Sequence, residues 1–105
     1  MTASFRAEVG PCDDDAYLFM NGAPTISLRF NQSRTVQREL QDGSYDFRFM
    51  VVNSGGWAWK AKARLLVNGQ EIYSVDRDGG SGFYTGPVYD ESRQFTIRNS
   101  QLEEF

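Results

Sequence analysis

Histidine is absent from this 105-residue chain and cysteine occurs once. Those two absences remove the usual zinc, haem and iron–sulfur ligand sets and exclude an internal disulfide. Any bound metal would be a hard cation held by oxygen atoms. They also remove the commonest general base. The single thiol, Cys12, is followed by Asp13, Asp14 and Asp15, whose charges disfavour a thiolate, so it reads as a small structural residue. The acids Asp76, Asp78, Asp90 and Glu91 fall in turn-like, solvated surroundings that do not raise a carboxyl pKa, and no enzyme is expected.

Long apolar runs are missing too. None approaches the ~18 residues of a membrane helix, and the opening residues, MTASFRAEVG, contain no apolar segment of signal-peptide length. No membrane insertion is expected, and the compartment is left open. Charge of one sign is also scarce. A formal net charge of −3 gives little long-range attraction for polyanions, and the chain carries no RNA-recognition signature, so nucleic acid is not an expected partner.

What the chain does have is apolar material in short alternating runs. Hydrophobic residues make up 40% and aromatics 14%, enough for one core in one domain spanning residues 1–105. Phe5, Ala7 and Val9 alternate with Arg6 and Glu8. Ile26, Leu28 and Phe30 alternate with Ser27 and Arg29, and Tyr45, Phe47, Phe49 and Val51 oppose Asp46 and Arg48. Period-two patterning of this kind marks half-buried strands. Ala16-Tyr17-Leu18-Phe19-Met20 is continuously apolar and reads as a strand buried on both faces, stopped by Asn21-Gly22-Ala23-Pro24. Thr35 to Leu40 and Arg93 to Arg98 supply two more strands. The polar residues 99–105 read as a flexible tail.

Val67-Asn68-Gly69-Gln70 is the clearest local signal, because Asn-Gly adopts the positive φ angles of a two-residue type I′ hairpin. Pairing Val67 with Gln70 and counting back sets Leu65 against Ile72 and Arg64 against Tyr73. One face then carries Trp57, Trp59, Ala61, Ala63, Leu65, Val67 and Ile72, and the other Lys60, Lys62, Arg64 and Tyr73. Buried cations would repel, so the tryptophan face is the expected core face. The fold expected is all-β, with about eight or nine strands and no substantial helix, arranged as an antiparallel β-sandwich of jelly-roll or immunoglobulin-like type. A closed β-barrel is the alternative.

Three surface features are candidates for function. The run Asp76-Arg77-Asp78-Gly79-Gly80-Ser81-Gly82-Phe83-Tyr84 places carboxylates and aromatics on a glycine-rich loop. Asp76, Asp78 and Asp90 could supply oxygens to Ca²⁺, although neither the EF-hand template nor the glycine-rich calcium repeat is satisfied. Phe83, Tyr84, Tyr89 and Trp57 offer faces on which sugar rings stack, with Asp78 and Asp90 near in sequence to bind hydroxyls. The ladder Lys60, Lys62, Arg64 could meet an acidic protein partner. The closing run Tyr89-Asp90-Glu91-Ser92-Arg93-Gln94-Phe95-Thr96-Ile97 resembles the last loop and strand of calcium-dependent jelly-roll lectins, over nine residues only. The function expected is a non-enzymatic, lectin-like carbohydrate-binding module, with Ca²⁺ as an accessory ion. The alternative is a protein-interaction or structural protein (an inhibitor, immunity factor or virion component) acting through its acidic loops or basic strand face.

Overall fold

The alternating runs are realised as nine strands in a computed structural model that describes residues 1–53, 58–80 and 86–103. Four strands form one antiparallel sheet: β1 (Ala3–Val9), β4 (Arg34–Leu40), β6 (Trp59–Val67) and β7 (Gln70–Gly79), in the order β4-β1-β6-β7. Five form the other: β2 (Asp15–Met20), β3 (Ala23–Leu28), β5 (Gly43–Asn53), β8 (Gly86–Arg98) and β9 (Gln101–Glu103), in the order β3-β2-β5-β8-β9. Both sheets end in edge strands, so the architecture is a β-sandwich and not a closed barrel. No helix occurs among the described residues.

Inward positions of each strand build the core at the period-two spacing. Phe5, Ala7 and Val9 face in from β1, Ala61, Ala63, Leu65 and Val67 from β6, and Phe47, Phe49 and Val51 from β5, all at most 2% exposed. The alanines of one sheet leave room for the rings of the other, as interdigitation at native density requires. Phe5 stacks on Phe95 with ring centroids 6.0 Å apart, and Phe47 meets Tyr73 at 5.3 Å. Both contacts join β1 or β7 to the opposite sheet.

Three two-residue turns set registers. Asn68-Gly69 has φ of 50° and 80° as the sequence predicts, and Asn21-Gly22 (49° and 78°) and Asn99-Ser100 (55° and 62°) make the same kind of hairpin. Positive φ at both positions matches the right-handed strand twist, which is why Asn and Gly occupy them. The Asn21-Gly22-Ala23-Pro24 stop is therefore a hairpin turn that leads directly into β3. The side chains of Asn68 and Asn21 also bind neighbouring segments. The Ser4 amide donates to Asn68 Oδ1 at 2.8 Å, the Asp46 amide donates to Asn21 Oδ1 at 2.9 Å, and Asn68 Nδ2 donates to the Ser100 carbonyl at 2.9 Å. The last bond clips the two sheets together at one end.

Four expectations change. A β-bulge between Leu65 and Leu66 shifts the β6–β7 register by one residue, so Tyr73 lies opposite Leu65 instead of Arg64. Tyr73 is therefore a core residue, 4% exposed, and not part of the basic face. β2 is not buried on both faces. Ala16, Leu18 and Met20 point inward, whereas Tyr17 and Phe19 lie half-buried on the outside, because only one face of the five-stranded sheet is covered by the other sheet. β3 ends at Leu28, and Phe30 is 53% exposed after the turn begins. Gln101–Glu103, read as part of a tail, pairs with Thr96–Arg98 as β9.

Trp59 occupies an inward position at the open end of the core. Its partner across β7 is Gly79, and a Cβ built on Gly79 would lie 2.3 Å from Trp59 Cε2. The indole thus rests on bare backbone, which only glycine permits. The indole also meets the Tyr89 ring in a tilted contact, with centroids 6.5 Å apart. Replacing Gly79 with Ala should displace the indole and lower stability by about 1–3 kcal/mol in urea unfolding. An unchanged midpoint would mean that Trp59 draws no support from this contact.

Candidate functional site

The outer face of the five-stranded sheet carries the most developed surface. Register aligns Tyr17 of β2 with Met50 of β5 and Asp90 of β8, and in the next row aligns Phe19 with Arg48 and Ser92. Asp46 and Gln94 make a third row, beyond which the Asn21-Gly22 turn rises. Tyr17 and Phe19 stack with centroids 6.3 Å apart and planes 22° from parallel. Beside them lies a depression of about 650 Å³ lined by Phe19, Gly22, Asp46, Arg48, Ser92 and Gln94.

Arg48 is the fixed element of this surface. Its Nε donates to Asp90 Oδ1 at 2.8 Å and its Nη2 to Asp90 Oδ2 at 2.6 Å, a two-pronged pair that holds the guanidinium plane in one orientation. The same bonds hold the Asp90 carboxyl below the ordinary aspartate range. Asp46 is positioned through its backbone, which bonds the Asn21 turn in both directions. Among the described residues, no side-chain hydrogen bond engages the Asp46 carboxylate, the Ser92 hydroxyl or the Gln94 amide. These groups are available to a ligand.

The residues singled out from sequence do not converge. Asp90 is on the outer face of the five-stranded sheet, whereas Asp76 and Asp78 are on the outer face of the four-stranded sheet, opposite Lys62 and Lys60. The three acids therefore cannot share one cation. Among the described residues, no group of three His, Cys, Asp or Glu side chains is placed to hold a metal ion. Tyr89 turns inward. Its hydroxyl shares a hydrogen bond with that of Tyr73, and its ring packs on Phe49 at 5.8 Å. Burial first, and then that bond, push the Tyr73 phenol far above its ordinary pKa. Trp57, Phe83 and Tyr84 lie outside the described residues.

The basic ladder faces outward, with Lys62 and Arg64 exposed and Lys60 half-buried, but it is not a basic patch. Lys60 and Lys62 lie opposite Asp78 and Asp76, and Arg64 Nε donates to Glu71 Oε1 at 3.0 Å. Cross-strand opposite charges stabilise the sheet and cancel its field. Cys12 is buried, donating to the Lys62 carbonyl and accepting from the Lys62 amide. Burial raises its pKa, consistent with an inert thiol.

Sequence reasoning missed Tyr17 and Phe19 because their neighbours in sequence are also apolar. The signal lay on the next strand. Arg48 and Asp46 alternate with Phe47 and Phe49, which gives β5 one wet face, and a strand paired beside it must share that face.

The Arg48–Asp90 pair makes a prediction about pH. Because the folded-state pKa of Asp90 is lowered, its contribution is complete above the unfolded value of about 3.9 and is lost as pH falls through the lower folded value. The contribution is small, since both side chains are exposed. Urea midpoints of wild type and Asp90→Asn should differ at neutral pH and converge in strong acid. A difference that persists unchanged in acid would place its origin elsewhere.

No protein-family model, curated protein or solved structure matches this chain, so its function is read from these side chains alone.

Proposed function

We propose that the protein is a non-enzymatic carbohydrate-binding module whose ligand lies on the outer face of the five-stranded sheet. The observation that carries this reading is the depression in which the half-buried ring of Phe19 stands beside Arg48, Asp46, Ser92 and Gln94. A sugar presents an apolar C–H face and a rim of hydroxyls. Phe19 suits the first, and a carboxylate, an amide and a hydroxyl without internal partners suit the second. The cations at the depression are both paired, Arg48 with Asp90 and Arg93 with Glu91, which leaves Asp46 to accept hydroxyl hydrogens. A neutral glycan fits that balance better than a sulfated or carboxylated one.

The site differs from the glycine-rich loop to which the sequence drew attention. Ca²⁺ has no part in it, because its single free carboxylate gives a hard cation too few oxygen ligands. Preorganisation comes from the sheet. Phe19, Arg48 and Ser92 occupy one register row on three hydrogen-bonded strands, so little ordering accompanies binding.

A screen of neutral oligosaccharides should find a ligand whose affinity falls about tenfold in Phe19→Ala, equivalent to ~1.4 kcal/mol, and less in Gln94→Ala. Melting temperatures should move by only a few degrees, about what a partly exposed side chain contributes. A chelator should leave affinity unchanged. Absence of binding to the panel at about 1 mM, where weak single-site lectin affinities still register, would overturn the proposal.

A further inference from the structure

We infer that the open edge of β4 binds an extended acidic segment of a partner protein, added as an antiparallel strand with the pattern acid-x-apolar-x-acid. β4 lies last in the four-stranded sheet and is paired by β1 along one side. Arg34, Thr35, Gln37, Arg38 and Glu39 are exposed, and only Val36 and Leu40 are half-buried, so the second side of the strand faces solvent. β4, β1 and the segments that flank β4 all belong to the described residues. The connection that precedes β4 turns away from this edge. The Asn31 amide donates to the Cys12 carbonyl at 2.9 Å, and a Cβ built on Gly10 would lie 2.3 Å from the Gln32 carbonyl oxygen, which seats Asn31 and Gln32 over the end of β1. An open edge of this kind is a template for a further strand.

The direction of the free backbone groups follows from β1. The Asn68 amide donates to the Ser4 carbonyl at 2.7 Å, the Ser4 N–H donates to Asn68 Oδ1 at 2.8 Å, and the Gly10 N–H donates to the Lys62 carbonyl at 2.8 Å. Ser4, Arg6 and Glu8 therefore bond on the β6 side. By alternation Ala3, Phe5, Ala7 and Val9 bond on the β4 side, to Leu40, Arg38, Val36 and Arg34 directly opposite. The N–H and C=O of Thr35, Gln37 and Glu39 thus point out from the sheet, one donor and one acceptor from each residue. Their side chains lie on the outer face, where Gln37 Nε2 donates to Ser4 Oγ at 3.3 Å and Thr2 Oγ1 donates to Glu39 Oε2 at 2.8 Å. Those bonds hold β4 in place without using its outward backbone groups, so little ordering accompanies strand addition.

The other face of β4 selects the chemistry of the added strand. Arg34, Val36 and Arg38 lie opposite Val9, Ala7 and Phe5 and share their inner face. Val36 packs against the core yet stays half-buried. Arg34 and Arg38 are exposed and, among the described residues, neither meets a carboxylate, whereas six other arginines do. An added strand would face these three residues at non-hydrogen-bonded positions, where Cα atoms come within about 4.5 Å. Carboxylates opposite Arg34 and Arg38 then form oriented ion pairs, and an apolar residue opposite Val36 completes its burial. A second copy of the chain does not supply that set. Twofold antiparallel pairing of β4 keeps inner-face residues opposite inner-face residues, and Arg34, Val36, Arg38 and Leu40 include no acid. Elsewhere in the chain, the one pair of acids four residues apart, Asp42 and Asp46, brackets Ser44 in place of an apolar residue. The occupant is therefore a different protein. Arginines on the inner side of an edge deter neutral and basic strands while accepting an acidic one, so the same two residues supply the selectivity.

The test needs no sugar and addresses the other sheet, so its outcome is separate from that of the glycan reading. The probe is a six-residue peptide in which threonine alternates with glutamate, valine and glutamate, long enough to lie along residues 34–39 and no further. In ¹⁵N-resolved NMR spectra of the wild-type chain it should bind with a Kd of about 0.1–1 mM, as expected of so short a segment. The amides of Thr35, Gln37 and Glu39 should shift most, because only they donate to the new strand. The same peptide with lysine in place of glutamate should bind at least about tenfold more weakly, and Arg34→Glu combined with Arg38→Glu should reverse the preference. Gln37→Pro removes an outward N–H that β1 does not use, a change edge strands accept, and should abolish binding while the melting temperature moves by only a few degrees. Far-UV circular dichroism confirms that each variant is folded, and the comparison of the two peptides on the wild-type chain needs no variant. Absence of shifts at about 5 mM glutamate peptide overturns the inference. So do equal affinities for the two peptides, shifts confined to the outer face of the five-stranded sheet, an unaltered preference after the charge reversal, or undiminished binding by folded Gln37→Pro.

Discussion

Everything in this sandwich depends on a line of aromatic rings that spans the gap between its sheets. Phe5 stacks on Phe95, Phe95 touches Phe47 at 6.3 Å, and Phe47 meets Tyr73, so the line crosses from β1 to β8, along to β5 and back to β7. Rings of this size fit only because Ala3, Ala7, Ala61 and Ala63 stand on the facing strands. Burial of Phe5, Phe47, Phe49 and Phe95 is the largest favourable contribution available to so small a chain, and it fixes which face of every central strand is inside.

Once the inner faces are committed, the two outer faces follow, and they differ. The four-stranded sheet exposes Arg6, Glu8, Lys60, Lys62, Arg64, Asp76 and Asp78, where opposite charges alternate across strands and Arg6 bonds Glu8 at 2.8 Å. Such a surface keeps the protein hydrated without favouring one class of partner. The five-stranded sheet instead turns the half-buried Tyr17 and Phe19 outward beside Arg48, Asp90, Ser92 and Gln94. Aromatic area next to oriented polar groups is what a recognition surface needs.

Several features were legible in the sequence, each for a local reason. Asn68-Gly69 was identifiable because two positive φ angles restrict the residues that can sit there. The inward set of β5 was identifiable because Arg48 and Asp46 mark its wet side. Other features were hidden. The bulge at Leu65/Leu66 adds one residue to β7, and nothing in Gln70-Glu71-Ile72-Tyr73 announces it, since both Ile72 and Tyr73 are plausible core residues. The sign of Tyr17 and Phe19 was hidden as well, because an unbroken apolar run has no period from which to read a face.

Residue identity within a few positions was enough to specify the all-β class and the Asn68-Gly69 hairpin, because alternation and positive φ angles are local properties. Tertiary structure decided which acids meet which cations, that Asp90 and Asp76 lie on opposite sides of the molecule, and that Phe19 borders a depression instead of filling the core. Those outcomes depend on the order in which strands lie side by side and on a single bulge. Strand order is set by pairings between residues distant in the chain, and no local pattern encodes them.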